Sequence, residues 1–469
     1  MPLPNRFTRR AFIQRATLAS LAVGSSGALA ACASSGGGGD TFEGDKSSDN
    51  PFGVQEDAPL EVVIFKGGYG DEYAKFNEQL YSAQFPDAEI SHAGITDIKQ
   101  QLQPRFNAGE PPDVVDNAGA EAMPLSTLAD TDQLADLSDL FAAEAIGFEG
   151  MTVEETLLPV AIESAMYGDT PLVLNYAQVV YGLWYDKTLF EQRGWAPAET
   201  WDEFMALCEE IKQSGMAPMC HQGKYPYYIE QTLLDLAVKH GGDEVIYAID
   251  SLEPGAWMND SVKMAAEALL EIKAKGYMLE GTEGLDHIQS QTAWNNGEAA
   301  FIPCGSWLEN EQKSVAPKGF ATTVAPTPLL EGAAKPFDCT RIEASEAYIV
   351  PAQAQNVAGG LAFLRIMCSK EAAAKFTELT ASPTVVMGAT EGMSLTPGAE
   401  SATALSESGG DENWNYYYDK WYTPMQPKIE TAVAELAAGR ISADEFCSMA
   451  QEAADETASD PATEVRTRS

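Results

Sequence analysis

Apolar and polar positions alternate between two rhythms along most of this chain. Leu60-Glu61-Val62-Val63-Ile64-Phe65 is a short apolar run stopped by Gly67, Gly68 and Gly70, which predicts a buried strand. A helical pattern follows over 71–85, then a strand near 88–91, a helix from 97 and a third strand at Val114-Val115. Strand and helix in turn predict a parallel α/β sheet. The middle third repeats this order. Residues 172–185 are apolar and β-rich, and Thr200-Trp201-Asp202-Glu203 is a capping box whose helix carries Phe204, Leu207, Cys208 and Ile211 on one face. Helices are read at 228–239 and 261–275, and a strand at 299–303. Beyond a Pro-punctuated crossing at 324–327 come a strand at 347–350, helices over 357–379, a Gly-, Ser- and Thr-rich loop at 391–413 and a helical stretch over 427–455. The expected fold is α/β with two lobes, each a mostly parallel sheet flanked by helices. One lobe takes 58–179 with 325–385, the other 180–324 with 386–457, and 458–469 is expected to be a disordered tail.

The amino-terminal segment follows neither rhythm. Thr8-Arg9-Arg10-Ala11-Phe12-Ile13 precedes an uncharged run from Ala16 that ends in Leu29-Ala30-Ala31-Cys32, the order of a removable export signal over 1–31. The arginine pair points to twin-arginine export. Gly24 to Gly27 interrupt the run, leaving it too weak for a permanent membrane span. Leu-Ala-Ala-Cys resembles a lipobox, which implies lipidation of Cys32 and places the protein on the extracellular face of the cell membrane. Two acyl chains, at about 0.8 kcal/mol per buried CH₂, suffice for stable anchoring. A soluble secreted protein with a chance cysteine is the plainer alternative. The Gly-, Ser- and Asp-rich stretch 32–57 is expected to be a flexible tether.

Composition narrows the function classes. The 469 residues carry a net charge of −41, and removing 1–31 takes away arginines and no acid. Nucleic acid is not an expected partner, because counterion release requires clustered Lys and Arg. Such acidity bears on solubility, as in a salty or crowded exterior, more than on a site. The six cysteines after Cys32 include no CxxC pair, and the four histidines are scattered, so neither metal nor cofactor is expected. Cys208 and Cys220 are the first candidate bridge, with two buried thiols as the equal alternative.

Candidate ligand residues cluster at strand ends. Lys66-Gly67-Gly68-Tyr69-Gly70 follows the first strand where backbone amides meet ligands, although a simple turn explains it equally well. It is not a nucleotide motif, since Tyr73 stands where GxGxxG needs glycine. Asp116-Asn117 closes the third strand, facing a ligand or forming an Asx turn. Sugar rings rest on aromatic faces, and this chain has Tyr225, Tyr227, Tyr228, Trp294, Trp307 and the group Trp414 to Tyr422. Any one of these is more often core than contact. Trp307 stands apart because it follows Pro303-Cys304-Gly305-Ser306 at a strand end. Arg341 and Glu343 either bond a ligand or pair with each other. No Gly-x-Ser-x-Gly elbow or HExxH is present, and the acids are too many to single out a glycosidase pair.

Asn295-Asn296-Gly297-Glu298-Ala299-Ala300-Phe301 with Gly305-Ser306-Trp307 resembles the maltose-type solute-binding proteins of ABC importers. The run Val180 to Phe190 is similar to their first interlobe crossing. The segments Lys224 to Tyr228 and Glu280 to Trp294 look like the actinobacterial branch of lipoproteins that bind N-acetylglucosamine and N,N'-diacetylchitobiose. The resemblance implies a hinged, periplasmic-binding-protein-like monomer, without cofactor, that delivers sugar to an ABC permease. It places Tyr69, Asn117, Tyr227 and Trp307 in the cleft, with Asp116, Tyr225, Arg341, Glu343 and Trp414 as further candidates. Where maltose binders carry an acidic and basic pair after the third strand, this chain has Ala120 and Glu121. Receptors for another oligosaccharide, an extracellular sugar-acting hydrolase and an adhesion lipoprotein are the competing readings.

Overall fold

The computed structural model describes residues 42, 44–119 and 121–468. The expected export signal, Cys32 and the first part of the expected tether lie outside them. Eleven strands are present among the described residues: β1 (Leu60–Phe65), β2 (Ile90–Ile95), β3 (Val114–Asp116), the short pair β4 (Met166–Tyr167) and β5 (Thr170–Pro171), β6 (Leu174–Val180), β7 (Gly182–Asp186), β8 (Ala217–Met219), β9 (Ala299–Cys304), β10 (Thr322–Ala325) and β11 (Ile342–Ile349). They form two main sheets, ordered β2-β1-β3-β11-β6 and β10-β7-β9-β8.

Each sheet is mostly parallel, as expected, with a single reversed strand, β11 in the first and β7 in the second. β1 runs parallel to β2 and β3, but β11 is antiparallel to β3 and β6. In the second sheet β7 is antiparallel to both β10 and β9, and β8 runs parallel to β9. The antiparallel strands are those that carry the chain from one lobe to the other. β6 passes into β7 through Tyr181, and β10 passes back into β11. A strand returning from the other lobe enters the sheet from the opposite end, so it cannot keep the βαβ direction.

Each sheet is held by its own apolar core. The first joins Val62, Ile64, Tyr73, Tyr81, Leu140, Tyr176, Tyr348, Phe363 and Phe376, and the second joins Phe190, Phe204, Leu233, Trp257, Leu269, Phe301, Tyr418 and Phe446. The helix Trp201–Gln213 opens with the expected capping box and buries Phe204, Leu207, Cys208 and Ile211. A third cluster, including Trp184, Tyr228, Trp294, Leu308 and Ile342, fills the junction between the sheets. Trp294 is therefore core.

Three expectations change. The carboxyl part of the expected tether is ordered, because Phe52 and Val54 bury into the first core while the Asn50 amide brackets Val54 with bonds of 2.8 Å. The loop expected at 391–413 contains the helix Pro397–Gly409, capped by Thr396 and burying Ala399, Ala402 and Leu405. Within 458–469 the chain docks rather than dangling. Arg468 donates to Asp250 and to the Asn415 carbonyl at 2.8 and 2.6 Å, pairs with Glu163 and stacks between Tyr247 and Tyr417.

All six cysteines from Cys208 to Cys447 are buried free thiols, so the Cys208–Cys220 bridge is not formed. Cys208 faces the second core from its helix, whereas Cys220 sits in the junction cluster and donates to the Ser290 carbonyl. Burial pushes both thiols far up from their ordinary pKa.

Candidate functional site

The ends of β1, β3 and β9 and the crossing ribbon of β6 and β11 converge on one cleft. From the first sheet the loop after β1 brings Tyr69, its ring 5.3 Å from Phe376 and its buried hydroxyl without a hydrogen-bond partner. Burial raises that hydroxyl's pKa, and the nearby Glu346, Glu311 and Glu343 carboxyls add to the effect. From the second sheet the turn after β9 brings Trp307. Its indole meets Tyr181 edge to face at 5.6 Å and Tyr228 at 6.2 Å, and the ring stays partly exposed. Gly305 is required beneath it, since a Cβ there would lie 2.1 Å from the indole. Tyr227 and Tyr228 stack at 4.1 Å, with burial and the Glu311 and Glu343 charges raising the Tyr227 hydroxyl's pKa.

The lobes touch across this cleft. The Asn310 amide donates to the Gly68 carbonyl, and a Cβ at Gly68 would stand 3.3 Å from the Glu311 carboxylate. On the other face of the crossing ribbon lies an open groove of about 740 Å³, lined in part by Gln178, Ile342, Thr384 and Trp414. Ile342 pairs with Val180 and Glu343 with Val179, so these neighbours point to opposite faces. The aromatic side chains converge on the opposite face, the one that carries Glu343. Closure of a hinged pair on one face opens the other.

An ionic cluster anchors the cleft at the crossing. Arg341 is buried and bonded at each of its three nitrogens: Nε donates to Asn415 at 2.9 Å, Nη1 to Gln231 at 2.6 Å and Nη2 to Glu343 at 3.0 Å. Its guanidinium lies between the rings of Tyr181 and Tyr416, 4.4 and 3.9 Å from their centroids. Glu343 also accepts from Tyr181 at 2.7 Å and from the half-exposed Lys420. Burial pushes the Glu343 carboxyl up, but Lys420 and Arg341 outweigh it and hold the group at about 2. Arg341 thus uses three of its five N–H donors on the protein and pairs with Glu343.

The other candidates divide by geometry. Tyr69, Asp116, Tyr227, Trp307 and Glu343 come together. Asn117 closes its own loop instead, its amide donating to the Met123 carbonyl and its oxygen accepting from the Met123 N–H at 2.9 and 2.8 Å. Trp414 is buried and donates to Asp235 at 2.6 Å, away from Trp307. Tyr225 is exposed and leans on His287. Glu346 and Lys420 were not singled out in the sequence, whereas Tyr181 lies in the crossing segment, Tyr416 in the aromatic group Trp414 to Tyr422 and Glu311 on the helix after Trp307.

Glu343 and Glu346 are three residues apart, so in a regular strand they would face opposite sides. Glu346 breaks that alternation with φ of +57°. Among the described residues no group of three His, Cys, Asp or Glu is arranged to hold a metal ion, and no helix is long and apolar enough to cross a membrane.

The description "bacterial extracellular solute-binding protein" belongs to the family whose pattern matches residues 55–374. A diacetylchitobiose-binding protein of Streptomyces coelicolor is 36% identical over 384 residues, covering 81% of each chain. A multiple sugar-binding protein of Streptococcus mutans is 25% identical over about half of each. Among solved structures, a chitin oligosaccharide binding protein superposes with a TM-score of 0.67 at 18% identity, over 85% of this chain and 98% of that one. The unliganded raffinose receptor of Streptococcus pneumoniae gives 0.68 at 18%, over 86% and 99%. With the family pattern spanning most of its length and a relative this similar along four-fifths of it, the chain belongs to the bacterial extracellular solute-binding proteins.

Proposed function

We propose that this protein is the receptor of an ABC importer, tethered at the extracellular face of the membrane through lipidated Cys32, and that it binds N-acetylglucosamine or N,N'-diacetylchitobiose without converting it. The observation that carries the reading is the cleft itself. Partly exposed Trp307 and the stacked Tyr227 and Tyr228 stand on one lobe, and Tyr69 with the Glu346 and Glu343 carboxyls faces them from the other side. Aromatic faces accept the C–H faces of a sugar ring, while carboxylates accept from hydroxyl and acetamido groups. Ligand contacts split between lobes favour the closed state by their differential affinity. The 36% identity to a diacetylchitobiose-binding protein supports the choice of sugar. The buried ion pair Arg341–Glu343 holds the crossing ribbon, and Glu343 is held in its ionised form by Lys420 and Arg341.

Calorimetric titration of the mature protein with N-acetylglucosamine, diacetylchitobiose and maltose tests this. Binding of either amino sugar with no product released from chito-oligosaccharides supports it. Maltose alone points to another oligosaccharide, product release to a hydrolase, and silence toward all three overturns the receptor reading.

A further inference from the structure

Beneath the cleft, two carboxyls meet without a cation between them. Asp116 ends β3 opposite Tyr348 of β11 and is wholly buried. Its carboxyl lies beside that of Glu346, with the Tyr348 hydroxyl and the Phe65 N–H also close to it; its Oδ2 accepts from Tyr73 at 3.3 Å, while Tyr73 and Tyr348 share a hydrogen bond of 2.5 Å. Oδ1 has no well-formed hydrogen bond. Ionised carboxylates only accept, so a bond between two of them exists only when one is protonated.

Glu346 reaches this position through its backbone. It is one of four non-glycine residues with positive φ among those described, and the only one inside a strand. Left-handed backbone in a strand is retained where surrounding contacts over-determine it, and such strain gathers at functional sites. Unlike Asp116 the Glu346 side chain is not wholly covered, and its neighbours Tyr69 and Glu343 line the cleft. The charged and titratable groups facing the pair are Tyr69, Tyr73, Tyr348 and Glu343, and the cations beyond Glu343 are already bonded to it.

We propose that Glu346 is a specificity-determining residue of the cleft: it shares one proton with Asp116 through their inner oxygens and turns its outer oxygen to the ligand as an acceptor for an amide N–H or hydroxyl. Asp116 is then a positioning residue acting through Glu346. The pair carries a single negative charge: burial raises both carboxyls above their ordinary range, and Asp116 raises Glu346 further, whereas the contact with Glu346 favours the ionised form of Asp116. Loss of the shared proton sets two charges against each other and breaks the inner bond.

The proposal rests on the sugar-receptor reading, so its test has a readout that needs no ligand. Infrared spectra of the mature protein at neutral pH are compared with those of Glu346→Gln, whose amide replaces the shared proton and keeps an outward carbonyl. A protonated-carboxyl band present in the parent and lost in the variant is expected; its absence in the parent overturns the proposal. Titration with diacetylchitobiose then follows from pH 6 to 9. Parent affinity is expected to fall above neutral pH while Glu346→Gln stays within about threefold of the parent's pH 6 value and flat. Glu346→Gly removes the acceptor and relieves the positive φ, so it is expected to lose more than about tenfold in affinity at an unfolding midpoint no lower than the parent's. Parent-like affinity in Glu346→Gly, or equal pH profiles in parent and Glu346→Gln, overturns the specificity role. A band that behaves as expected in a protein binding no amino sugar upholds the shared proton and defeats the receptor reading instead.

Discussion

Arg341→Met is the sharpest test of how the crossing is built. The substitution keeps most of the side-chain volume and removes the guanidinium, which leaves the Asn415 and Gln231 oxygens and one Glu343 oxygen without their donor. Each buried acceptor stranded this way costs about 1–3 kcal/mol. Lys420 and Tyr181 still serve Glu343, which puts that share near the low end. Loss of the stacking between Tyr181 and Tyr416 adds about 0.5–2 kcal/mol. The parts add to about 3.5–9 kcal/mol, and removing one partner of a buried ion pair costs about 3–5 kcal/mol, so a loss of at least about 3 kcal/mol is expected. Urea unfolding of the ligand-free protein, followed by tryptophan fluorescence and circular dichroism, reads it directly. Arg341→Lys should recover only part of the loss, because an ammonium cannot reproduce the planar fork or the stacking. A ligand-free stability within about 1 kcal/mol of the parent, with affinity alone reduced, would refute the structural clamp and return Arg341 to the ligand.

Three further outcomes are expected. Trp307→Ala should weaken diacetylchitobiose binding by about tenfold or more, roughly 1.4 kcal/mol, with little change in the unfolding midpoint, and calorimetry showing less than a threefold change removes the ring from the site. Asn117→Ala should lower stability by about 2 kcal/mol, since both amide bonds to Met123 are buried, and leave binding to the cleft's other groups intact; chemical unfolding checks the first and titration the second. Glu343, depressed from its ordinary 4.5 to about 2, contributes stability that is full above its unfolded pKa and is lost as pH falls through its folded one. Stability measured from pH 6 to 2 should therefore decline with acid by on the order of 3 kcal/mol from this group, and Glu343→Gln with an unchanged acid limb would remove it from the account.

The sequence carried the frame of the fold better than the detail of the site. Short apolar runs marked β1, β3, β6, β7 and β9, because a buried strand must be apolar whatever surrounds it. The start of β11 was hidden, since Arg341, Glu343 and Glu346 make it look like a surface segment until their partners arrive from 231, 415 and 420. The helix Pro397–Gly409 was hidden for a related reason: small residues bury little area each, and its amino end is held by Glu309 from another lobe element. At the site, Trp307 and Tyr227 were legible from their place beside a strand end and in a tyrosine cluster. Asn117 and Trp414 were not, because each satisfies its polar atoms with a protein partner that only the folded chain brings near. For Glu346 the obstacle is a single backbone angle, which no spacing rule foretells.

The six buried thiols have a use beyond packing. With no covalent bond between any of them, the described body is held by noncovalent contacts alone, and each sulfur is shielded until its surroundings open. Cys368 sits in the first core, Cys208 and Cys447 in the second, and Cys220 and Cys304 at the junction beneath the cleft. A thiol reagent added to the native protein therefore reads a separate clock for each region. The order in which the clocks start, with and without sugar, would map where the molecule breathes and which motions a ligand stills.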